Sequence, residues 1–309
     1  MAINTVRIQV NGTWVNLTKN ATTGKYEGTI AAPAVTSYNV NANHYYPVTV
    51  EATDLAGNVT TENDTDATLG NSLKLYVKET TKPTISITAP ASGAYLASNT
   101  PAISFQLRDE TNGSGIKISS LVIKVDGGTA LTNTSPGVVV TTVTGGYNVT
   151  YTPQAALTDG SHTVTVDALD NDGNSAVQAS RSFKVDTVPP TLNITAPAEA
   201  TTYRNTASIT LVGSTNDAVS SPVTVTVKLN SSSAEAVTVD GSGNFSKALT
   251  LVEGTNTVTV TATDLAGKVS TVTRTIILDT VAPVINSITI NPNPVNVGQS
   301  YTITVEVSD

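Results

Sequence analysis

Apolar and polar residues alternate in three segments that share one pattern: Tyr46-PVTVEATDLAGN-Val59, His162-TVTVDALDNDGN-Ser175 and Asn256-TVTVTATDLAGK-Val269. The alternating positions are Val48, Val50 and Ala52, then Val164, Val166 and Ala168, then Val258, Val260 and Ala262. A period of two places one face of a strand against a core and the other toward water. Each strand runs into an aspartate (Asp54, Asp170, Asp264), with a glycine three positions on (Gly57, Gly173, Gly267). Aspartate bonds its own backbone and glycine supplies positive φ, so the pattern predicts a hairpin turn.

Two further elements recur. Lys82-PTISITAP, Pro189-PTLNITAP and Ala282-PVINSITI each open a short alternating strand with proline, which suits a domain edge. Val6-RIQVNGT and Leu121-VIKVDGG each give a strand followed by Asn-Gly or Asp-Gly, with Val223-TVTVKLN as the counterpart in the third unit. An aromatic strand follows, opened by Tyr26, Tyr147 or Phe245, and its ring is expected to plug the core. Units of ~100 residues with many short strands predict an all-β chain of tandem sandwiches. The expected divisions are 1–82, a domain lacking its opening strand pair, 83–188 and 189–281, two complete domains, and 282–309, an opening pair.

The repeat frame is thus offset from the chain ends. Residues 84–109 and 284–309 are of equal length and both end on aspartate. A sandwich without two of its strands exposes backbone donors and acceptors and part of its core. Strand complementation is therefore expected, with the tail completing the first domain of another copy or an equivalent edge on another protein. The tail residues assigned to this contact are Val284, Ile288, Ile290, Tyr301, Ile303, Val305 and Val307. Two intervening domains, each ~30 Å long at ~3.3 Å rise per residue, favour a contact between chains over closure within one.

Composition narrows the function. The chain has 309 residues, no cysteine, 13% charged residues and a formal net charge of −8. Disulfide scaffolds, cysteine nucleophiles and thiolate metal sites are excluded. The negative charge argues against nucleic acid or an anionic membrane as partner. No apolar run reaches the ~18–20 residues of a membrane helix. The start MAINTVRIQV carries no basic segment before an apolar one, so no secretory signal is expected.

Candidate chemistry is sparse, and a non-enzymatic chain without a cofactor is expected. His44 and His162 stand at unmatched repeat positions and read as structural or surface histidines. Asp109-ETNGSGI reads as a shaped loop in place of half of a carboxylate pair. Calcium is the one metal with candidates: Asp167, Asp170, Asp172 and Asn174 cluster in sequence, as do Asp64 and Asp66. Asp170-NDG lacks regular acidic spacing and a distal glutamate, and Lys268 replaces the asparagine of the other turns, so the turn reading is preferred. The Asn-x-Ser/Thr triplets, such as Asn16-LT and Asn193-IT, follow from Asn and Thr richness. Trp14, Tyr45 and Tyr46 could form a small sugar-binding face, with packing the favoured role.

Val50-EATDLAGN, Asp186-TVPP with Asp279-TVAP, Asp159-GSHTVTV, and Asn112-GSGI followed by Val122-IKVDG resemble bacterial Ig-like, fibronectin-III-like repeats over nearly the whole chain. Such repeats occur in adhesins, as spacers in surface enzymes, and in tailed-phage proteins, so the resemblance fixes fold more firmly than role. Without an export signal, and with ends similar to Ig-like proteins of Firmicutes phages, the chain is expected to be a virion structural protein. It would be tail or baseplate associated and assembled in the host cytoplasm. Its expected partners are copies of itself, neighbouring tail proteins and host cell-envelope glycans. The alternatives are an adhesin stalk on the bacterial cell surface and a carbohydrate-binding accessory module.

Overall fold

The structure, a computed structural model, describes residues 2–309 and is all-β. It falls into two compact units. One holds the described residues up to Ala94 together with Asn99–Lys184, and the other holds Tyr95–Ser98 and Val185–Asp309.

In the first unit, residues 2–82 build a single sheet. Its order is Tyr26–Glu27, Thr13–Lys19, Ile3–Val10, Tyr46–Asp54 and Val59–Glu62. Asn11 (φ 48°) and Gly12 (φ 78°) turn the first hairpin, as the Asn-Gly pair predicts. Val6, Ile8, Val10, Val50 and Ala52 share this sheet yet are only half-buried. Tyr45, Tyr46 and Val48 are the buried apolar residues here.

Residues 84–185 instead form two sheets. One pairs Val138–Val143, Gly146–Tyr151, Ile103–Arg108 and Thr84–Ala89 in that order. The other contains Ile116–Val125, Gly160–Asp170 and Ala179–Val185. Phe105, Leu107 and Val149 from the first meet a core that includes Leu121, Ile123, Val164, Val166 and Phe183 from the second, all essentially inaccessible. The Val-x-Val-x-Ala strand is thus fully buried here, whereas in residues 2–82 Val48 is buried and Val50 and Ala52 are only half-buried. The side chains are alike, and what differs is whether a second sheet covers them.

In the second unit the same sandwich recurs. Thr191–Ala196, Ser208–Asn216 and Asn244–Thr250 form one sheet. Thr201–Arg204, Val269–Leu278, Gly254–Thr263, Thr224–Leu229 and Glu235–Val237 form the other, its first pair parallel. Phe245 plugs this core over Gly213, where a Cβ would lie 2.5 Å from the ring. The plug expected of Tyr147 and Tyr26 is not formed in the same way: both rings are half-buried, and Val149 and Tyr151 fill the second core. Val284–Asn291 and Thr302–Ser308 pair as an antiparallel hairpin, and every residue from Asp279 to Asp309 is exposed.

Candidate functional sites

The C-terminal hairpin copies the opening strand pair of the second sandwich. Val284 pairs with Ser308 as Thr84 pairs with Arg108, and Ile285 with Val307 as Ile85 with Leu107. Leu107 and Phe105 are 0% and 1% exposed, whereas Val307 and Val305 are 55% and 47% exposed. Ile288, Ile290 and Ile303 are likewise exposed, opposite Val305, Ile303 and Ile290 in register, and Val284 and Tyr301 flank the same pair. On residues 2–82, an apolar groove of about 370 Å³ is lined by Ile8, Val10, Ile30, Val48, Leu73 and Leu75.

The acidic residues gather differently from their sequence clustering. Asp167 bonds Gln178 (2.9 Å) and Asp172 bonds Thr36 and the Glu79 amide (2.5 and 3.0 Å). Asp170 Oδ1 accepts from the amides of Gly173 and Asn174, and Oδ2 from the Asn174 side chain at 2.7 Å. The sequence cluster of Asp167, Asp170, Asp172 and Asn174 therefore points in several directions, and of its members Asp170 alone enters a three-carboxylate group. Tyr45 Oη donates to Asp64 Oδ2 at 2.8 Å, and Asp66 caps the amides of Thr68 and Leu69.

Two three-carboxylate groups do form, each with ligand oxygens within 4.8 Å of one another: Glu79, Asp109 and Asp170, and Asp186, Asp217 and Asp264. They occupy matching repeat positions. Glu79 and Asp186 lie four residues before the opening proline, Asp109 and Asp217 end the opening pair, and Asp170 and Asp264 begin the turn. Among the described residues, the buried side-chain polar atoms without a hydrogen-bond partner are Glu79 Oε2, Asp109 Oδ1 and Asp264 Oδ2, all in these groups. In the first group the Ser114 amide donates to Glu79 and the Gly115 amide to Asp109 Oδ2, closing the expected loop. Burial, and then the neighbouring Glu110, push the Glu79 carboxyl up, although the Ser114 amide opposes the shift. In the second, Asp217 accepts from the amides of Val219 and Ser220, and Ser220 Oγ donates to Asp186. Burial pushes the Asp217 carboxyl up, but those amides and the Ser220 hydroxyl outweigh it and hold it below the usual carboxylate range.

The histidines have structural partners. His162 Nδ1 meets Asp126 Oδ2 and Nε2 meets the Thr158 carbonyl oxygen, each at 2.7 Å. With Nε2 held against a carbonyl, the pair is not arranged to take a proton from a nucleophile. His44 stacks on Tyr38 at 4.0 Å. Tyr45 and Tyr46 are buried, while Trp14 lies exposed under the Arg7 guanidinium at 4.4 Å, so the three aromatics do not share a face. Among the described residues no helix is long and apolar enough to cross a membrane.

Residues 83–166 match the model of a bacterial Ig domain, and residues 190–280 match that of glucodextranase domain B. The bacterial Ig match falls on one of two like sandwiches, so the chain carries Ig-like repeats. No curated protein matches it. Similar solved structures include fibronectin(III)-like modules of Clostridium thermocellum CbhA, at 17% identity and a TM-score of 0.37, covering 63% of this chain and 94% of that one. A bacterial ice-binding adhesin matches at 18% identity and a TM-score of 0.31, covering 89% and 86%. Drosophila N-cadherin EC1-3 matches at 15% identity and a TM-score of 0.30, covering 89% of each chain.

Proposed function

We propose that this chain is a non-enzymatic structural protein of a phage or phage-tail-like particle, associated with the tail or baseplate, and linked to neighbours by strand complementation. The observation that carries the linkage is the coexistence of an uncovered apolar hairpin and a single-layer sheet with an open apolar groove. In the second sandwich the equivalent hairpin side chains are buried by a facing sheet, so the exposed pair is chemically suited to the same burial. The partners are then other copies of the chain or neighbouring tail proteins, with host cell-envelope glycans as a further contact.

A second setting for the same array is an adhesin stalk on the bacterial cell surface, favoured by the match to a bacterial Ig domain. Immunogold microscopy with antibody against residues 83–281 separates the two. Label on phage tails or tail-like particles supports the virion setting. Label on cell envelopes, with particles bare, moves the array to the cell surface.

A further inference from the structure

We propose that Asp186, Asp217 and Asp264 form a calcium site in the third repeat. The inference is independent of the assembly reading above. Asp186 and Asp264 are 1% and 6% exposed, and Asp217 is half-buried. Three carboxylates that each place one oxygen within 4.8 Å of the others repel one another, and burial sharpens that repulsion. A bound cation relieves it. The donors are all carboxylate oxygens, a set suited to a hard cation that takes six to eight oxygen ligands, with water and main-chain carbonyls completing the shell.

The turn that holds Asp264 carries the argument further. At Asp54, Asp170 and Asp240, a following asparagine (Asn58, Asn174, Asn244) donates its side-chain amide to the aspartate Oδ2, at 2.8, 2.7 and 3.3 Å. Lys268 stands at that position in the third repeat. Its backbone amide still donates to Asp264 Oδ1 at 2.9 Å, so the turn is kept. A lysine side chain cannot reproduce the amide clip, however, and Asp264 Oδ2 is left buried without a donor. Leaving a buried acceptor unsatisfied is unfavourable. Here the unpartnered oxygen belongs to a residue already grouped with two other carboxylates, so it is available as a ligand. The lysine that argues against a metal in the sequence is the substitution that frees a ligand.

The test is calcium binding to the full chain by isothermal titration after chelation, on wild type, Asp264→Asn and Lys268→Asn. Wild type is expected to bind with a Kd of about 10⁻³ M or tighter. Both variants are expected to lose one calcium per chain and the accompanying rise in Tm. Lys268→Asn is the sharper variant because it keeps all three carboxylates and restores the turn of the other repeats. It also removes a positive charge, so electrostatics alone would make it bind more tightly, whereas clipping of Oδ2 makes it bind more weakly. Wild type that binds no calcium up to about 10 mM, or a Lys268→Asn protein that binds as wild type does, overturns the proposal.

Discussion

Asp172, in the turn of the second repeat, accepts the backbone amide of Glu79 at 3.0 Å on the same oxygen that takes the Thr36 hydroxyl. One carboxylate thereby fixes two points of the first repeat, and Asn39 Nδ2 adds a third contact to the Gly113 carbonyl at 2.7 Å. Asp172→Ala should lower stability by about 1–3 kcal/mol, since it strands the Glu79 backbone donor, while the Thr36 hydroxyl keeps the Val77 carbonyl as acceptor. Hydrogen exchange at the Glu79 amide should accelerate, while the amides of Val164 and Val166 stay protected.

The single-layer sheet gives an internal control. Val166 is inaccessible between two sheets, and Val50, at the matching position, is half-buried. Val166→Ala should cost about 2 kcal/mol, from lost transfer energy plus a cavity. Val50→Ala should cost less than about 1 kcal/mol. Paired denaturant titrations check this, and equal losses would mean that the first sheet is covered in solution.

Burial alone would disfavour a charged His162 ring, but the Asp126 carboxylate and the Thr158 carbonyl outweigh it and hold its pKa above the usual value. A raised pKa means that the folded state binds the proton more tightly than the unfolded state. The contribution is therefore complete below the unfolded value of ~6.5 and fades as pH rises through the folded value. Thermal melts should show the second repeat losing stability across that window. Asp126→Asn should flatten the profile, and His162→Gln should cost about 1–3 kcal/mol at pH 6.

Charge placed on the exposed hairpin should separate assembly from folding. Ile303 and Val305 touch solvent in the isolated chain, so Ile303→Lys with Val305→Lys should shift the Tm of the sandwiches by less than ~0.5 kcal/mol equivalent. The same pair of lysines should abolish concentration-dependent growth in multi-angle light scattering. Wild type that stays monomeric at high concentration argues against complementation between copies.

Much of the fold could be read from the sequence because strands and turns write local signatures. Val164, Val166 and Ala168 alternate, Asp170 and Gly173 bend the chain, and the structure uses them so. The aromatic plug was less legible. Phe245 sits over Gly213, but Tyr147 lies toward the edge of its core, which is a matter of neighbours across the sheet. The carboxylate groups were not legible as clusters, because Asp186, Asp217 and Asp264 come from three separate turns brought together by strand pairing. Two signals did point to them: an acid four residues before each opening proline (Glu79, Asp186, Asp279), and an aspartate ending each opening pair (Asp109, Asp217, Asp309).

The hairpin of residues 284–308 and the open sheet of residues 2–82 are unlike surfaces, and that difference governs the stoichiometry of any union between them. Identical patches pair about a twofold axis and stop at a dimer. A donor that meets an acceptor leaves one of each unsatisfied at the two extremities, so the product is a ring if the geometry closes and a filament if it does not. Length is then set by chain concentration and by whatever molecule terminates growth, and a short excess of a peptide spanning the hairpin would act as a chain stopper.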